Sequence, residues 1–133
     1  MEGWEDKAWG KVRHVFSTPE VAISYLEVVA GTRSSWHRHA DRNNSFHVGR
    51  GMIVVECIDQ ITGAKWQRKL IDHLSFTVEA GILHRFRVIE SGHLVEIYWP
   101  REAGVAVRLD DIERIDHGGP DDQHPQHAAE TMT

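Results

Sequence analysis

The sequence predicts an all-β barrel or sandwich, on three observations. Short runs rich in β-branched and aromatic residues recur at regular spacing, glycine-containing turns separate them, and apolar and polar residues alternate within them. The candidate strands are 9–16, 21–29, 35–39, 44–48, 52–57, 65–70, 74–78, 83–88 and 94–99. Their punctuation is Thr18-Pro19, Gly31, Gly49-Arg50-Gly51, Thr62-Gly63, Ala80-Gly81, Ser91-Gly92 and Pro100. One short helix is expected near the C-terminus, over 109–115, with Asp110 or Asp111 placed to cap it.

These elements fit one domain. A chain of 133 residues has room for a single core, and a domain of that size buries roughly two-thirds of its unfolded surface without needing a disulfide or structural metal. Hydrophobic residues at 41% and charged residues at 26% give an ordinary globular balance. The expected organisation is an N-terminal tail over 1–8, a barrel over 9–115 and a flexible tail over 116–133. The last stretch is rich in Gly, Pro, Asp and Gln and has no aliphatic period. Its His117, His124 and His127 are read as solvated side chains.

Charge and cysteine content narrow the function. A net charge of −5 with scattered Lys and Arg argues against nucleic-acid binding, which draws on neutralised phosphates. The first eleven residues have no apolar signal region, and no stretch approaches the roughly 20 apolar residues of a membrane span. The single cysteine, Cys57, cannot form an internal disulfide, which points to a reducing, cytoplasmic setting. Its place in an apolar run reads as a small buried hydrophobe. Gly49-x-Gly51 leads into a strand and is too short for a dinucleotide fingerprint, and no P-loop, nucleophile elbow or paired-cysteine zinc signature is present.

The chemistry lies in two histidine-bearing stretches. His37 and His39, at i and i+2 on a strand, project from one face. Asn44, Phe46 and Val48 share a face, and the apolar pair turns that face inward, with His47 outward. In the second stretch His84, Phe86 and Val88 alternate with Arg85 and Arg87, so the His84 face is the buried one. Three inward imidazoles left unpaired would each cost roughly 1–3 kcal/mol. One divalent transition metal (Zn, Mn, Ni or Fe) resolves that cost, with a metal-free ligand pocket as the competing reading.

These residues resemble the cupin superfamily. Its first motif, Gly, five residues, His-x-His, three or four residues, Glu, six residues, Gly, is matched by Gly31, His37, His39 and Gly51, with Asn44 in the Glu position. Its second motif is matched by Gly81 and His84, with His73 and Glu79 as departures. The resemblance covers about residues 20–100. It implies a double-stranded β-helix, the cupin jelly-roll barrel, holding the metal on His37, His39, Asn44 and His84. The stretches 37–56, 83–88 and 94–100 and the ending RLDDIERIDHGG are similar to small sugar-handling cupins, the mannose-6-phosphate isomerase-like type and the modules attached to sialic acid synthases. Asn44 in place of a carboxylate removes a negative charge beside the ion, which lowers affinity and leaves the metal more electrophilic. Asp41, the nearest spare carboxylate, is expected to face solvent.

Glu96 is the candidate catalytic residue. A carboxylate in a strand as apolar as 94–99 either faces water, as one face of an antiparallel sheet commonly does, or serves as a pocket base. An inward Glu96 makes an isomerase or epimerase writable, with Phe46, Val48, Phe86 and Tyr98 as the expected pocket lining and a small polar, sugar-like molecule as ligand. The alternatives are a three-histidine Fe(II) dioxygenase, a lyase or decarboxylase, and a non-catalytic sugar-binding module. Arg38, Arg50, Arg85 and Arg87 are the cations expected near the site, all directed outward. Five tryptophans exceed what one small core buries, and Trp36, facing away from the histidines, is expected at a homodimer interface.

Overall fold

The computed structural model describes residues 3–123. Among these residues the secondary structure is strand alone, and eleven strands join one curled antiparallel sheet. No helix of the described residues is long and apolar enough to cross a membrane.

The chain enters through a hairpin of β1 (Trp4–Lys7) and β2 (Gly10–Ser17), and β2 pairs with β3 (Ala22–Val28). Two short strands follow, β4 (Thr32–Arg33) and β5 (His37–Arg38). The body of the barrel is β6 (Arg42–Ile58) against β9 (Leu83–Pro100), with β7 (Lys65–Ile71) and β8 (Ser75–Val78) completing β6 on its other edge. Last come β10 (Glu113–Arg114) on β5 and β11 (Gly119–Pro120) on β4.

Two expected pairs of strands are single elements. The turn signals at Gly49–Gly51 and Ser91-Gly92 mark a bend inside continuous strands, which pair from Arg42↔Pro100 to Ile58↔Leu83 with register shifts between Val48 and Ile53. Gly51 takes φ +94°, and a Cβ at Gly92 would collide with the Arg50 carbonyl oxygen. The strands cross there at a distance only glycine permits.

Period-two alternation then fills the interior. Leu26, Phe46, Ile53, Val55, Phe86 and Val88 are each 2% exposed or less and form part of one core cluster. Cys57 joins them, buried directly opposite His84 in the sheet register, and burial pushes its thiol up to about 12. It is the small hydrophobe the sequence suggests.

The C-terminal segment differs from its expected form. No helix covers 109–115. The Asp111 carboxylate, instead of capping a helix, accepts the Ala40 and Asp41 N–H groups at 3.0 and 2.9 Å. A seven-residue helix is marginal on its own, and cross-links to a neighbouring strand outweigh it. The order continues past 115. Asp116 accepts the Trp36 N–H at 2.7 Å, and Asp121, 2% exposed, pairs with Arg87 at 3.0 Å. Residues 116–123, expected in a flexible tail, therefore pack on the barrel, as does β1 within the expected tail 1–8. His117 is exposed, while His124 and His127 lie outside the described residues.

Candidate metal centre

The sheet brings the three histidines together. β5 pairs with β9 so that His37 lies opposite His84, and His39 follows on the same face as His37. Ring centroids are 4.4 Å apart for His37 and His84 and 5.2 Å for each of the other two pairs. One ligand atom from each lies within 4.8 Å of the others.

The hydrogen bonds decide which nitrogen is free. His37 Nδ1 donates to the Ser35 carbonyl at 2.8 Å, His39 Nδ1 to the Asp111 carbonyl at 2.7 Å and His84 Nδ1 to the Ile82 carbonyl at 2.9 Å. A carbonyl only accepts, so each Nδ1 carries the hydrogen and each Nε2 presents a lone pair. The Nε2 atoms of His39 and His84 are buried without a hydrogen-bond partner. A ligating imidazole with its outer N–H held by a carbonyl is the usual arrangement at metal sites. The residues fit a transition metal.

Each ring is held neutral, its pKa pushed down to about 3. Burial is the largest cause in all three. Next come the charge of His39 on His37, of Arg42 on His39, and of His37 on His84. Neutral imidazole is the ligating form, so protons offer little competition near neutral pH.

Asn44 and Glu96 complete the interior. Asn44 is 1% exposed, and its amide N–H donates to Glu96 at 3.2 Å. That bond fixes the amide, leaving Oδ1 without a partner and able to serve as a weak oxygen donor. Of the two directions open to Glu96, the inward one is observed. Leu94, Glu96 and Tyr98 are all buried, and Val95 and Ile97 form the opposite, half-covered face. Burial raises the Glu96 pKa, opposed by its hydrogen bond with Tyr98, the charge of Arg42 and the bond from Asn44.

A cavity of about 780 Å³ opens over this group, with His37, His39, Arg42, Phe86, Glu96 and Tyr98 on its wall. Of the four expected lining residues, Phe86 and Tyr98 line it. Phe46 and Val48 belong to the core instead, with the Phe46 ring 6.3 Å from His84 and 6.1 Å from Phe86.

The arginines also need correction. Arg38, Arg85 and Arg87 are engaged with Glu113, Glu56 and Asp121, and Arg50 is exposed. Asp41 is exposed as expected. The cation inside is Arg42, which is not among the four expected near the site. The signal was present, because Arg42 precedes Asn44 by two and so shares the inward face of Asn44, Phe46 and Val48.

No protein-family model matches the sequence, and no curated protein matches it. Solved structures do match. The capsular polysaccharide assembling protein CapF from Staphylococcus aureus is similar with a TM-score of 0.68 at 16% identity, over 85% of this chain and 34% of that one. KdgF from Halomonas sp. is similar with a TM-score of 0.61 at 20% identity, over 75% and 87%. Oxalate decarboxylase from Bacillus subtilis is similar with a TM-score of 0.70 at 13% identity, over 84% and 29%. At these identities the likeness shows the fold, which is the cupin jelly roll. The chain spans about a third of the CapF and oxalate decarboxylase chains. Fold and site together give a jelly roll of the cupin type whose interior carries the donor set of a metal centre.

Proposed function

We propose that the protein is a metal-dependent cupin enzyme of the isomerase or epimerase type, akin to the mannose-6-phosphate isomerase-like cupins, acting on a small polar, sugar-like substrate in the cavity. The observation that carries this reading is Glu96, a buried carboxylate on the wall that also presents His37 and His39. A divalent cation on His37, His39 and His84 would supply Lewis acidity, polarising a carbonyl or hydroxyl oxygen.

Glu96 then moves the proton. Its carboxylate oxygen takes the proton from the carbon beside the substrate carbonyl, leaving an enediolate, and returns it to the former carbonyl carbon while the hydroxyl proton passes to the former carbonyl oxygen; in epimerisation the enediolate turns over first, and the proton returns to the carbon it left. The Asn44 amide and the Tyr98 hydroxyl, which donate to Glu96, fix its orientation. Its raised pKa supports the role, since a base works best with a pKa near the working pH.

The test is deuterium wash-in from heavy water into a panel of aldoses and ketoses. Wild type incorporates label, and Glu96→Gln loses roughly 100-fold or more of the rate while keeping its metal. An unchanged rate in the variant, no wash-in at all, or oxygen uptake that appears only with iron loaded overturns the isomerase reading.

We also propose a cytoplasmic homodimer joined through the outer face around Trp36. This ring is half-buried, with the Arg85 guanidinium 4.6 Å above it. A Trp36→Glu variant is expected to elute as a monomer in size-exclusion chromatography. An unchanged dimer removes the assignment.

A further inference from the structure

Arg42 has no task in the proton transfer proposed above, yet it is 4% exposed and lines the cavity beside His39, Glu96 and Tyr98. Its guanidinium carbon stands 4.2 Å from the centre of the Tyr98 ring, and Nη1 donates to the Arg108 carbonyl. Nε is buried without a partner. Among the described residues Arg42 forms no salt bridge, whereas Arg33, Arg38, Arg85, Arg87 and Arg108 each have at least one.

A buried guanidinium cannot shed its proton, and a buried charge without a counter-ion is costly. The neighbours do not supply one. Asn44 is an amide, and the Glu96 carboxyl on the same wall is engaged by Asn44 and Tyr98 and makes no ion pair with Arg42 among the described residues. A metal ion would add positive charge. The polarity of this wall calls for an anion from outside. Nε together with Nη2 forms the guanidinium edge that takes a carboxylate side-on through two parallel bonds.

We propose that Arg42 anchors the carboxylate of an acidic substrate, a small sugar acid or hydroxy acid, and so places its hydroxyl-bearing carbons beside Glu96 and the histidines. The substrate class deepens the isomerase reading and rests on it for what happens next, but the binding step stands alone. A single guanidinium suits a carboxylate better than a phosphate dianion.

Calorimetric titration of metal-loaded and metal-stripped protein tests the anchor. The probes are glucuronate and gluconate, with glucose as the neutral counterpart and inorganic phosphate as the rival anion. The acids are expected to bind at least about tenfold tighter than glucose, as charge-assisted hydrogen bonds do. Arg42→Met abolishes that preference with metal content unchanged, and Arg42→Lys, which keeps the charge and loses the fork, retains only part of it. The Lys variant decides if the Met variant fails to fold. Equal binding of acid and neutral sugar, no binding of either acid, tighter binding of phosphate, or a preference that survives both substitutions overturns the anchor. Wash-in on neutral sugars without acid preference sinks the anchor and spares the isomerase. Acid preference without wash-in does the reverse.

Discussion

Elemental analysis is expected to find about one equivalent of metal in wild type and to find most of it lost in His84→Ala, both purified without a histidine tag. Removing even an outer partner of a metal ligand costs about 10–100-fold in affinity, and His84 is a direct donor candidate. The other donors cannot compensate. Two imidazoles would remain with the Asn44 oxygen, and none brings the negative charge that a carboxylate supplies beside a cation. Arg42, whose charge already acts on all three rings, opposes a cation further. The substitution leaves a cavity but also removes a buried Nε2 without a partner, so the fold in chelator is expected to survive it. Circular dichroism checks that point. Metal content equal to wild type would place the ion elsewhere.

Chelator-treated wild type is expected to lose stability steeply as pH falls below about 6.5. Each histidine has a folded pKa of about 3 against an unfolded value near 6.5. Between those values the unfolded chain binds more protons than the folded one, so stability rises with pH and is lost on acidification. By pH 5 each ring has given up about 2 kcal/mol and the three together on the order of 6 kcal/mol. That is comparable to the whole stability of an ordinary domain, about 5–15 kcal/mol. Glu96 acts with the opposite sign, because its raised pKa lets the folded state take up a proton first and recovers part of the loss. A metal held on the Nε2 lone pairs would delay the fall until acid displaced it. Urea midpoints from pH 7 to pH 4.5, with and without chelator, measure both effects. A flat chelator curve across that range would mean the rings are not held neutral by the fold.

The histidines were legible because a strand repeats every two residues. His37 and His39 share a face by spacing alone, and Arg85 and Arg87 reveal the buried side of His84 by being unable to occupy it. Glu96 offers no such contrast. In β9 both faces of Leu94–Tyr98 are apolar, because β3 and β6 flank the strand and its outer face is half-covered, so alternation carries no direction there. The fate of Asp111 was hidden for another reason. Its partners Ala40 and Asp41 lie about 70 residues away, and a helix cap and a cross-link look alike in sequence. Gly49–Gly51 and Ser91-Gly92 carry the residues of a strand-ending turn, and the same residues also permit a bulge. Nothing local separates the two.

The carbonyl that holds the ring of His39 belongs to Asp111, on the last packed stretch of the described chain. Drawing electron density from one ring nitrogen makes the hydrogen on the other a better donor, so an ion on His39 and the seating of residues 109–121 share one free energy. By reciprocity, whatever loosens this strap from the barrel weakens the grip on the ion by the same factor. Residues 109–121 thereby belong to the coordination chemistry, though among the described residues they add nothing to the histidine cluster.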